Sequence, residues 1–125
     1  MRLILTSFLT VALMTGTALA GDATKGAKVY KKCVSCHMIG EKAKNRVGPH
    51  LNGIIGREIA ALQDYKYSKA MVAYGETAKI WSQDNLAAYL ANPRKAVKGT
   101  RMAFVGLRKE KDVANVIAYL KQEAK

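Results

Sequence analysis

Cysteine and histidine are scarce in this chain of 125 residues, with two of each. A structural zinc site wants four ligands and would consume every cysteine and histidine here, which makes that reading the weaker one. No run of residues reads as a convincing strand, which removes the βαβ setting of a thioredoxin-like dithiol. Beyond the N-terminus no stretch is apolar enough to span a bilayer. Internal repeats and low-complexity segments are missing too. Acidic residues are few, 9 Asp and Glu against 21 Lys and Arg, for a formal charge of +12.

What is present is concentrated in five residues, Cys33-Val34-Ser35-Cys36-His37. Cys-x-x-Cys-His is the attachment pattern for haem of the c type. Two thiols three residues apart lie on one side of a helical turn, where both can form thioethers with the vinyl groups of one porphyrin. His37 follows directly and projects an imidazole at the iron. One haem c per chain is therefore expected, held through Cys33 and Cys36.

Residues 1–20 read as a cleaved secretory signal. Arg2 makes a positive start, Leu3 to Met14 an apolar stretch, and Ala18-Leu19-Ala20 a cleavage site. Removing 20 of 125 residues leaves 105, one domain over 21–125 with a modest core that a buried haem would enlarge. Export implies a soluble protein in the periplasm of a Gram-negative host and argues against nucleic acid as a partner. Loss of Arg2 leaves a charge of +11, from 20 basic and 9 acidic residues. Such an excess suits the acidic docking faces of membrane redox complexes, with Lys32, Arg46, Lys95, Arg101 and Lys109 steering encounter. Mutual repulsion of that charge favours a monomer.

The segments read as short helices joined by long loops. Asp22 caps a first helix from about Ala23 to Cys33. A loop of some thirty residues follows, which makes sense if it wraps a ligand. Ser68 caps a short helix that Gly75 stops. Ser82 caps another, which Asn92-Pro93 ends. A last helix runs from about Lys109 to Lys121, with Val113, Val116, Ile117 and Leu120 as its apolar stripe.

The other axial ligand decides the chemistry. Met38 adjoins His37 and cannot reach round the ring. Met71 lies on an apolar helix face, where it reads as core filler. His50 follows the motif too soon. Met102 sits in an irregular stretch between Pro93 and Gly106, able to cross the second face of a haem, and is the choice. A thioether favours ferrous iron and raises the potential. With both axial positions filled, the site suits electron transfer and not catalysis, so no enzyme is expected.

Taken in order, these motifs resemble the small soluble class I cytochromes c, mitochondrial-like bacterial type. The resemblance runs from Gly26 to Leu120 through the haem motif, Gly48-Pro49-His50-Leu51-Asn52-Gly53, Trp81, Tyr89-Leu90-Ala91-Asn92-Pro93, Gly99-Thr100-Arg101-Met102 and Val116-Ile117-Ala118-Tyr119-Leu120. It implies an all-α fold wrapped around the haem, the first and last helices crossing where Gly26 meets Tyr119. It implies His37 and Met102 as iron ligands, and the Pro49 carbonyl as the partner of the His37 ring. It assigns Arg57, Tyr67, Trp81 and Thr100 to the haem propionates, and Tyr89 to the methionine sulfur. Three departures stand out. Lys98 replaces a common proline and could compete for the iron at high pH. Met71 takes a position often held by asparagine, and two extra residues lie between Gly75 and Trp81.

The function so implied is a periplasmic one-electron shuttle, drawing from a quinol-oxidising complex and delivering to a terminal oxidase, a reductase or a photosynthetic reaction centre. Two alternatives remain at this stage. One is a dedicated electron-acceptor subunit of a periplasmic dehydrogenase; the other is a haem peroxidase or gas sensor with an open iron.

Overall fold

The computed structural model describes residues 20–125. The expected leader, apart from Ala20, lies outside the described residues. Five helices appear in the order α1 (Ala23–Tyr30), α2 (Lys69–Ala78), α3 (Gln83–Ala91), α4 (Pro93–Ala96) and α5 (Glu110–Glu123). The fold is all-α. Among the described residues the only β feature outside turns is an isolated bridge, Glu58 to Ile80.

α1 starts where its cap requires. The Asp22 carboxylate accepts from the Lys25 amide at 3.0 Å, satisfying one of the free donors of the first turn. The Asp22 amide donates to Asn115 Oδ1 at 2.8 Å, so the cap also ties α1 to α5. The two helices cross at Gly26. A Cβ there would overlap the Asn115 carbonyl oxygen and lie 2.8 Å from Tyr119 Cβ. Only the missing side chain lets the backbones approach so closely.

The α-helix ends at Tyr30, three residues short of the expected Cys33. The hydrogen bonds change partner there: Lys32 N donates to Val29 O at 3.1 Å and Cys33 N to Tyr30 O at 2.8 Å. Bonds to the third residue back tighten the chain into turns through Cys36.

α2 begins at its expected cap, with Met71 N donating to Ser68 Oγ at 3.0 Å. It does not stop at Gly75. The helix runs on to Ala78, and Lys79 takes the left-handed stop at φ 67°. Gly75 serves a different purpose, because a Cβ on it would come within 2.9 Å of the Ile59 carbonyl oxygen. The segment between Gly75 and Trp81, where the sequence reading counts two extra residues, spans the end of α2 and the Lys79 stop.

Ser82 caps α3 through the Asn85 amide at 3.1 Å. The stop at Asn92-Pro93 is immediately reused: Asn92 Oδ1 accepts from Lys95 N at 3.2 Å and Pro93 opens the one-turn α4. α5 ends two residues beyond the expected Lys121, and Glu110 and Asp112 in its first turn suit the positive helix end.

The buried core is drawn from α1, α3, α5 and the loops between them, with Val116 of α5 at its centre. The loop after His37 is clasped at several points. Asn52 exchanges two hydrogen bonds with the Gly40 backbone, each 2.9 Å. Its far side joins Ile59 N to Lys79 O and Trp81 N to Arg57 O, both 2.9 Å, and Gly53 N reaches Ala124 O at 2.7 Å. The loop folds around a space.

Candidate functional site

That space is a cavity of about 610 Å³, walled by α1, α2, α3, α5, the long loop and the segment before α5. Cys33, Cys36 and His37 form one part of its lining, and Met102 belongs to another. Both cysteines are half-buried and carry no disulfide. The Cys33 thiol is pushed up by burial, with Cys36 adding to the rise and Lys32 opposing it.

His37 is oriented from two sides. Its Nδ1 lies 2.7 Å from the Pro49 carbonyl oxygen, which can only accept, so Nδ1 carries the proton. Nε2 then keeps a free lone pair. Burial holds the imidazole below its ordinary pKa, the Pro49 bond opposes this, and the Arg57 charge adds to the lowering. Gly48 lies against the ring: a Cβ on it would stand 2.7 Å from Nδ1 and 2.8 Å from Nε2. The Gly48 amide in turn donates to Cys36 O at 2.9 Å. The glycine and proline of one motif thus set the ring in place.

The strap carrying Met102 is pinned through Thr100. Thr100 N donates to Val97 O at 3.0 Å, and the Met102 amide reaches Thr100 Oγ1 at 3.3 Å. Tyr89 of α3 meets the same Oγ1 at 2.7 Å. The hydroxyl assigned by resemblance to the methionine sulfur is therefore engaged with Thr100 in this structure. Lys98 is exposed at the strap's start.

Arg57 is a half-buried cation, its Nη1 donating to His50 O at 3.0 Å and Asn52 O at 3.1 Å. Its Nε is buried with no partner. Burial lowers its pKa, as expected for a charge lacking an anion. A guanidinium with no carboxylate partner among the described residues, on the wall of an apolar cavity, fits a carboxylate-bearing ligand. Two thiols on one turn, an imidazole with a free nitrogen and a thioether complete a donor set that fits haem c.

Further comparisons agree with this chemistry. The sequence profile of the family described as Cytochrome c matches residues 23–124. The chain is a class I cytochrome c. It is 50% identical over 96 residues to a cytochrome c2 of Afifella marina, covering 77% of each chain. A cytochrome c2 of Agrobacterium tumefaciens (strain II Chrys) is 46% identical over 100 residues, 80% of this chain and 90% of that one. The solved cytochrome c2 of Rhodospirillum centenum superimposes with a TM-score of 0.75 at 39% identity, over 84% of this chain and all of its own. As a class I cytochrome c, the protein binds haem c covalently through Cys33 and Cys36.

Of the residues singled out in the sequence, Cys33, Cys36, His37, Pro49, Arg57, Tyr67, Trp81, Tyr89, Thr100 and Met102 all line this one cavity. Met71, read as core filler, lines it as well while packing on the core. His50 turns elsewhere, its Nδ1 accepting from Asn52 N at 3.3 Å. Of the five docking cations, all exposed, Lys32 and Arg101 border the cavity. Arg46 lies beside the haem motif, on Val34 O at 3.1 Å. Lys95 and Lys109 lie outside the lining. Tyr65, which donates to Val47 O at 2.7 Å, and Lys66, whose carbonyl accepts from Arg101, went unnoticed in the sequence. The Tyr-x-Tyr pair at 65 and 67, with rings 4.8 Å apart, was the available signal.

Proposed function

We propose that the protein is a soluble one-electron carrier, exported to the periplasm and working as the folded unit 21–125. The bound haem supplies an iron that passes between ferrous and ferric states. In this reading the chain's own work is to hold that iron still and choose its partners. His37 Nε2 and the Met102 sulfur would hold the iron. Pro49 fixes the imidazole, and its bond raises ligand basicity. Tyr89 and Thr100 hold the strap that presents Met102. Arg57 answers the propionate charge, with Tyr67 and Trp81 shielding it from water.

The observation that carries this reading is the free nitrogen of His37 and the thioether of Met102 lining one cavity. A site closed by two protein ligands changes charge with little rearrangement and excludes other reactants. Donors would be quinol-oxidising complexes, and acceptors oxidases, reductases or reaction centres. Acidic docking faces would meet Lys32, Arg46, Lys95, Arg101 and Lys109, the exposed Val34 and Val47 supplying apolar contact near the cavity. No helix among the described residues is long and apolar enough to cross a membrane, in keeping with a diffusible carrier.

An absorption spectrum of the ferric protein tests the assignment. The weak methionine-to-iron band is expected in the native protein and lost on Met102→Ala. Ready binding of carbon monoxide by the native ferrous protein at neutral pH would refute it.

A further inference from the structure

Tyr30 carries a hydroxyl that nothing in the chain explains. The residue is 5% exposed, and its oxygen is buried with no hydrogen-bond partner. The ring is well occupied, packed on Tyr119 with centroids 5.2 Å apart beside the α1–α5 crossing. A phenylalanine would pack there equally well. A buried donor left unpaired is costly, and folded proteins pair nearly all of them.

Two facts locate the missing partner. Tyr30 lines the haem cavity. It also stands one turn before Cys33, whose amide donates to the Tyr30 carbonyl at 2.8 Å. Burial pushes the phenol up to about 12, with Cys33 and Tyr119 adding to the rise. Tyr30 therefore lines the same cavity as Cys33, one turn away in the chain.

We propose that Tyr30 is a positioning residue whose hydroxyl donates a hydrogen bond into the haem crevice, to the thioether edge at Cys33. The bond gives a buried donor its partner and fixes the edge against α1. Its positive hydrogen end faces the haem and favours the less positive ferrous state. The inference rests on the haem seat described above and adds a residue that tunes it.

The test is Tyr30→Phe in the holoprotein, with the pyridine haemochrome spectrum first showing two intact thioethers. The variant is expected to shift the equilibrium constant against a fixed redox mediator about threefold toward ferric. At 59 mV per tenfold this is a potential about 28 mV lower. Its melting temperature should fall as well. An unchanged potential with a higher melting temperature would overturn the inference, the hydroxyl then being an unpaired burden. An unchanged potential with a lower melting temperature would overturn it too, placing the partner away from the haem. Native protein without thioether-bound haem would instead sink the seat itself.

Discussion

Gly26→Ala sets two effects of opposite sign against each other. Alanine is favoured over glycine inside a helix by about 1 kcal/mol. Against this, the new methyl would stand 2.8 Å from Tyr119 Cβ and overlap the Asn115 carbonyl. Neither obstacle is the free end of a flexible side chain, so the helices must separate by roughly 1 Å, and a gap of 0.5–1 Å forfeits a quarter to a half of each contact's attraction. The residues loosened include Tyr30, Val116 and Leu120, all core members. Each contributes about 1.5–3 kcal/mol when buried, so the loss is roughly 2 kcal/mol. Strain from overpacking adds about 1–3 kcal/mol. After the helix gain is subtracted, the net destabilisation is about 2–4 kcal/mol, a fall in melting temperature of roughly 10–25 °C. Thermal unfolding of the holoprotein followed by far-UV circular dichroism measures it. A melting point within about 3 °C of the parent would refute the argument, for it would mean the crossing yields without cost.

Four other outcomes are expected. Gly48→Ala should push the His37 ring from its place, weakening axial ligation and lowering the potential, as seen in the visible spectrum and by redox titration. Tyr89→Phe removes the 2.7 Å contact with Thr100; it should cost about 1 kcal/mol and let the methionine-to-iron band bleach at lower pH. Burial holds the Tyr30, Tyr67 and Tyr89 phenols above their ordinary value. The unfolded chain therefore releases these protons first, near pH 10, and stability should fall as pH rises from there toward 12. Denaturant melts across that window should show a shallower fall for Tyr30→Phe. Finally, Lys32→Glu with Arg101→Glu should slow association with an acidic redox partner and flatten its salt dependence in stopped-flow measurements. Unchanged rates at low ionic strength would discard the docking face.

Much of this architecture is readable before any coordinate is known, and the reason is local chemistry. Asp22, Ser68 and Ser82 announce helix starts because each side chain satisfies an amide within its own turn. The haem motif is legible for a similar reason, since its spacing is itself the geometry. Gly75 misled because a glycine marks either a reversal or a close approach, and only the position of Ile59 distinguishes them. The one-turn α4 was hidden because Asn92 both ends one helix and caps the next. The vacant partner of the Tyr30 hydroxyl is a property of three dimensions alone. In sequence that tyrosine is one more apolar position on the face of α1.

The clasp between Gly53 and Ala124 bears on how the molecule is made. A chain that emerges N-terminus first presents its cysteines some ninety residues before the end that locks the loop around them. Until α5 arrives, α1 has no partner to lie against, and the two thiols stay open to a bulky tetrapyrrole. Closing of the loop around Cys33 and Cys36 thus waits on the docking of α5.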